Sequence, residues 1–192
     1  MKYITKEQTI QWIMISVGSV LLIISMFFDT FVNDKISLYK WPVLDVLFNT
    51  LSNFYLLIFV LLAASTYFMY ISKKREGILP LWISFIATTV IVIIIKLLVA
   101  RERPEEFSTF LLFMYSFPSL HAAVCFSTIA ILDIEFPKLK WLWIILGVMI
   151  GISRIYLHAH FFSDVIAGAL LGYVIGLVVW QLNGKYFHKI KW

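Results

Sequence analysis

The chain has 192 residues, 61% of them hydrophobic and 14% charged, with a mean hydropathy of +0.91. Soluble domains hold roughly half apolar and about a quarter charged residues, and disorder needs low hydrophobicity, so both classes are excluded. The formal net charge of +5 therefore bears on membrane topology before nucleic acid, and the single cysteine leaves no internal disulfide and no Cys-based zinc site.

A bilayer core takes about 20 apolar residues per helix. No charged residue lies between Glu7 and Asp29, Asp45 and Lys73, Glu76 and Lys96, Glu106 and Asp133, or Asp164 and Lys185. Each window holds one crossing. A sixth apolar stretch starts at Trp141 and meets Arg154 early. It spans only with Arg154 at the membrane edge or facing a polar interior. The expected helices are roughly 9–28, 53–72, 79–99, 119–135, 141–157 and 164–182. The fold class is all-α: a polytopic membrane protein with six transmembrane helices in a bundle, one domain over residues 1–192. The first segment has a basic start at Lys2 and Lys6. Its apolar run is too long for a signal peptide and ends without a small-residue cleavage site, so it is read as a retained span.

Lys and Arg in the short loops set orientation. The face shared by both termini carries Lys2, Lys6, Lys73, Lys74, Arg75, Lys138, Lys140, Lys185, Lys189 and Lys191. The other face carries Lys35, Lys40, Lys96, Arg101, Arg103 and Arg154. That bias puts both termini in the cytoplasm of a multi-pass plasma-membrane protein. The first outward loop, Thr30 to Ser52, contains Tyr39-Lys40-Trp41-Pro42, which suits headgroup anchoring and a short surface helix.

Ionisable residues near a bilayer are costly and mark functional sites. Here they gather on the outward face. Lys96 ends the third span, with Arg103 seven residues on, two helical turns if the helix continues. Two converging cations bind a dianion, or they snorkel to headgroups. Pro118-Ser119 opens the fourth span, where free N–H groups attract anions; for the pair alone a plain N-cap is the better reading. His121, in the first turn, adds a proton donor. Arg154 ends the fifth span. His160 and Asp164 are four apart, on one face of a helix, so the carboxylate can fix the tautomer and leave one ring nitrogen to attack. His158 points elsewhere, and His188 lies in the basic tail of the opposite face. Zinc could use the histidines and Asp164, but Lys96, Arg103 and Arg154 disfavour a metal cation.

These residues spell three patterns: Lys96-LLVARE-Arg103-Pro104, Pro118-Ser119-Leu120-His121, and Ser153-Arg154-IYLHA-His160-FFS-Asp164. The chain resembles the type-2 phosphatidic acid phosphatase superfamily of membrane lipid phosphatases, related to vanadium haloperoxidases and bacterial acid phosphatases. That family carries K-x6-R-P, P-S-G-H and S-R-x5-H-x3-D in this order. The departure is Leu120 where the family usually has glycine. It keeps the backbone N–H but narrows the approach to the phosphate.

The resemblance implies His160 as the phosphoryl-accepting nucleophile, Asp164 orienting it, and His121 as the acid for the leaving oxygen. It implies Lys96, Arg103, Ser119 and Arg154 as the phosphate cradle, with no metal and no cofactor. The implied partners are a lipid phosphate substrate and membrane lipids. Undecaprenyl diphosphate, phosphatidic acid and phosphatidylglycerol phosphate all fit, because the motifs grip the phosphoryl group and not the tail. A transferase of the same superfamily is the alternative. A non-hydrolytic lipid transporter is disfavoured by apolar span centres. Glu102, Glu105 and Glu106 are read as a solvated acidic loop, and Phe107 to Phe117 as the wall of a lateral opening for a lipid tail.

Overall fold

The computed structural model describes residues 6–104 and 115–186. Seven α-helices build it, with no strand among the described residues. They are α1 Lys6–Ile36, α2 Pro42–Leu51, α3 Phe54–Ile71, α4 Ile78–Val99, α5 Leu120–Glu135, α6 Lys140–Tyr156 and α7 Phe162–Tyr186. The proposed aromatic wall falls largely outside the described residues, as do Glu105, Glu106 and His188.

Local chemistry explains several helix ends. Pro42 opens α2 with the proline ring preset for a first turn. Asn53 caps α3, its side chain accepting from the Leu56 N–H at 3.0 Å. A π-helical stretch, Phe59–Ala64, lies within α3. α4 stops at Ala100, which adopts a left-handed conformation (φ 49°) and donates its N–H to the Lys96 carbonyl.

Five segments are long and apolar enough to cross a membrane: Gln11–Ile36, Phe54–Ile71, Arg75–Val99, Pro137–Tyr156 and Phe162–Gly184. The stretch before Arg154 is among them, with Arg154 buried at its end. The expected helix over 119–135 forms, but α5 has only 16 residues. At 1.5 Å per residue it reaches about 24 Å, short of a hydrocarbon core of about 30 Å. The count of six spans is therefore not met by length and composition alone. α5 instead forms the centre of the bundle, with twelve of its residues buried. It packs against α4, α6 and α7, and α1 lies on the other side of α7. Large apolar side chains such as Phe27, Ile86 and Ile145 face outward, as lipid contact requires.

α5 and α7 approach backbone to backbone at three glycines. Gly168, Gly172 and Gly176 recur every fourth residue and so share one face of α7. A Cβ at Gly172 would run into the Ala123 carbonyl, and one at Gly168 into that of Ser119. Small residues let backbones approach in this way, and such packing holds helices together where lipid removes the hydrophobic drive. At the site end, the Ser119 N–H donates to the Asp164 carbonyl at 2.9 Å. Two of the sequence patterns are thereby joined main chain to main chain.

α2 lies across the same end. The Lys40 ammonium donates to the Tyr156 carbonyl at 3.0 Å, and the Tyr156 hydroxyl donates to Asp45 at 2.7 Å. Tyr39, Lys40 and Trp41 are all exposed, and the Lys40 ammonium also reaches back to α6.

Gly172→Val should force α5 and α7 apart and cost about 1–3 kcal/mol or more from overpacking. Gly184→Ala, with nothing within 4 Å of the new methyl, should cost far less. Thermal unfolding in detergent compares them, and equal melting temperatures would contradict the close-packing account.

Candidate active site

α4, α5, α6 and the turn before α7 deliver their polar ends to one cavity of about 450 Å3. Lys96, Arg103, Leu120, His121, Arg154 and His160 line it. Asn49, Ser52, Phe54 and Tyr55, from the α2–α3 corner, form its other side. The volume is in the range of small-molecule sites.

Lys96 comes from the last turn of α4 and is only 3% exposed. Its ammonium donates to the carbonyls of Tyr115 (2.6 Å) and Ser116 (3.2 Å). Helical continuity does not align it with Arg103, because α4 has already ended at Val99. The left-handed turn at Ala100 sends the chain back instead, and Arg103 reaches the cavity from an irregular segment. There it donates to the Ala159 carbonyl at 2.6 Å. Two cations thus converge by a turn where periodicity suggested a helix.

Ser119 precedes α5 in an extended conformation, as an N-cap does, but its side chain makes no capping bond. The hydroxyl is fully buried and has no hydrogen-bond partner. A plain cap does not explain that, since burying an unsatisfied hydroxyl is costly. Leu120 follows, its side chain on the cavity. His121 Nε2 lies 3.0 Å from the Ser52 carbonyl. A carbonyl only accepts, so Nε2 carries the proton and Nδ1 is left for exchange. The Phe54 ring packs edge-on at 5.1 Å and holds the imidazole in place.

α6 ends at Tyr156, and His158 takes a left-handed conformation (φ 51°) that turns the chain sharply. The Ala159 and His160 N–H groups then both donate to the Arg154 carbonyl, at 3.1 and 3.2 Å. His160 lies before α7 begins, not on its face. It is 2% exposed, with Nδ1 3.7 Å from Asp164 Oδ2 and without a hydrogen bond. Asp164 sits in the first turn of α7, where its Oδ2 accepts from the Phe161 N–H at 2.8 Å. Burial, then the positive field of Arg154, Lys96 and Arg103, pushes His160 well below the ordinary imidazole value. That direction favours the neutral imidazole. His158 is buried and does not line the cavity.

Three residues outside the sequence assignment complete the surroundings: Asp29 on α1, Arg101 and Ser163. Arg101 Nη1 donates to Asp164 Oδ1 at 2.7 Å and Nη2 to Asp29 Oδ2 at 2.7 Å. The signal for Asp29 in the sequence is an isolated carboxylate followed by more apolar residues, Phe31 and Val32.

An electropositive cavity with buried donors should bind inorganic phosphate. Phosphate should raise the melting temperature of the purified protein. Arg103→Gln should weaken that binding about 10–100-fold, the value of a charge-assisted hydrogen bond. Arg75→Gln, at the opposite end, should leave it unchanged; equal losses in both would contradict the assignment.

Residues 77–187 match the PAP2 superfamily, more than half of the chain. An undecaprenyl-diphosphatase of Sulfolobus acidocaldarius is 36% identical over 118 residues, 58% of this chain and 57% of that protein. A phosphatidylglycerophosphatase B of Bacillus subtilis is 32% identical over 151 residues, 73% of this chain and 71% of that protein. The crystal structure of Aquifex aeolicus LpxE superposes with a TM-score of 0.68 at 29% identity, covering 80% of this chain and 95% of that one. The chain spans 57% or less of the length of several curated relatives it matches. The sequence match over α4 to α7 and the shared helical architecture together place this chain in the PAP2 superfamily.

Proposed function

We infer that this protein is a membrane phosphatase that removes a phosphoryl group from a lipid phosphate or diphosphate through a phosphohistidine. The observation that carries the reading is the convergence of Lys96, Arg103 and Arg154 on the cavity that also holds His121 and His160. Such an array stabilises the equatorial oxygens of a transferring phosphoryl group by charge and position. The whole of 1–192 acts as one membrane domain in this reading.

His160 Nδ1 faces Asp164, so Nε2 is the attacking atom. It bonds to phosphorus as the bond to the leaving oxygen breaks, and His121 delivers a proton to that oxygen. Nδ1–H of the phosphoimidazolium is then held by Asp164. Water next attacks phosphorus, His121 takes its proton, and the P–N bond breaks to release inorganic phosphate. Ser119 and the free N–H groups of the α5 terminus add donors for the phosphoryl oxygens. The protein cations carry the charge, so no metal enters the scheme.

Undecaprenyl diphosphate, phosphatidic acid and phosphatidylglycerol phosphate are the proposed substrates. The names of the Sulfolobus and Bacillus relatives support the first and the last. The loop bias of Lys and Arg supports cytoplasmic termini and a site facing out of the cell, with α5 as a sixth, protein-wrapped crossing.

Purified protein in detergent should release phosphate from at least one of these lipids with EDTA present, and His160→Ala should release none. His121→Asn should slow a lipid phosphate about 100–10,000-fold, the range of general acid catalysis. It should slow p-nitrophenyl phosphate much less, because that leaving group needs no proton. The acid limb of kcat/KM for the wild type should lie below pH 6.5, since the folded site holds His160 deprotonated. EDTA-sensitive release, or equal losses on both substrates, would count against the scheme.

A further inference from the structure

Arg101 lies between Lys96 and Arg103 in sequence but does not line their cavity. Its guanidinium spans two carboxylates. Nη1 donates to Asp164 Oδ1 (2.7 Å) and to Ser163 Oγ (2.8 Å). Nη2 donates to Asp29 Oδ2 (2.7 Å). The Phe161 ring lies 4.2 Å below the guanidinium carbon and holds the plane.

Asp29 is equally engaged. Its Oδ1 accepts from the Ser163 N–H at 2.7 Å, and its Oδ2 also accepts from the Ser163 hydroxyl at 2.6 Å. Asp29 is 6% exposed and sits on α1, well before the residues that match the superfamily. A carboxylate near the end of a long apolar helix is expensive and is kept where it has partners and a task.

The task is visible in how the oxygens of Asp164 are divided. Oδ1 is taken by Arg101. Oδ2 is held by the Phe161 N–H and faces His160 Nδ1. Without Arg101, Oδ1 loses its charged partner, and only the Phe161 N–H and a Ser116 bond remain to hold the carboxylate against rotation away from the imidazole. Without Asp29, Arg101 turns its whole charge on Asp164 and cancels the negative charge that the phosphoimidazolium needs. With all three present the bridge keeps a net charge of −1.

We propose that Asp29 and Arg101 form a positioning bridge that ties α1 to Asp164 and holds Asp164 Oδ2 towards His160 Nδ1 during phosphoryl transfer. The proposal rests on the reading of His160 as the phosphoryl acceptor. Neither residue touches substrate, so the bridge acts on kcat and not on KM.

The test uses full-length protein in detergent, with dioctanoyl phosphatidic acid as substrate, and four variants: Arg101→Gln, Asp29→Asn, the double variant, and His160→Ala. Asp29→Asn is isosteric, which protects the fold, and thermal unfolding gives the folded fraction for normalisation. Both single variants should lose about 10–100-fold in kcat, as displaced supporting groups do, with KM within about 3-fold of wild type.

The acid limb of kcat/KM carries the sharper readout. Lys96, Arg103, Arg154 and His121 face His160 in every variant, and the substrate's own ionisation is common to all. Only the bridge charge changes: −2 in Arg101→Gln, 0 in Asp29→Asn, and −1 again in the double variant. The limb should therefore move to higher pH, to lower pH, and back to about the wild-type position, in that order. A merely structural lesion produces no such order. Wild-type kcat in both single variants, or limbs that do not follow the charge, would overturn the bridge while an inactive His160→Ala leaves the nucleophile standing. Full activity in His160→Ala would overturn the nucleophile instead.

Discussion

Asp164 has no exposed surface, so its charge and its lone pairs must be met by protein. The way they are met organises the site end of the molecule. Its main-chain carbonyl takes the Ser119 N–H and pins the start of α5. One side-chain oxygen takes Arg101, and through it α1; the other takes the Phe161 N–H and faces His160. The arrangement requires α5 and α7 to lie nearly backbone to backbone, which Gly168 and Gly172 permit. A glycine stripe in the bundle and a carboxylate at its end are thus parts of one constraint.

The cations are governed by the same economy. Lys96 and Arg154 are almost entirely buried, and each lies where carbonyls or a cavity meet its charge. Their mutual repulsion favours an anion between them. The buried, unpartnered hydroxyl of Ser119 lies at the same end of the bundle. A group with spread negative charge suits these donors better than a metal cation does.

Much of the architecture was legible in hydropathy, because charge-free windows and helix lengths share one physical cause. The stretch ending at Arg154 reads poorly by charge alone, yet it forms α6, with Arg154 turned to the cavity and away from lipid. α5 shows the opposite case. Its sequence reads as a span, but the helix has only 16 residues and is wrapped by three others at the centre of the bundle. The gathering of Lys96, Arg103, His121, Arg154 and His160 was legible from spacing and charge. How they gather was not: the left-handed turns at Ala100 and His158 replace the helical periodicity that spacing suggests. Asp29 and Arg101 were hidden for a further reason. Asp29 pairs with Arg101 72 positions on and Arg101 with Asp164 63 positions on, and long-range pairing leaves no local pattern.

The central claim is that His160 carries the phosphoryl group. The direct measurement is a rapid alkaline quench during the first turnover with lipid labelled in the terminal phosphate, followed by peptide mapping. The account predicts an alkali-stable, acid-labile phosphoryl group on His160, formed and lost at rates that match turnover. A label on Ser119, or steady turnover with no protein-bound phosphate at any time, would contradict it.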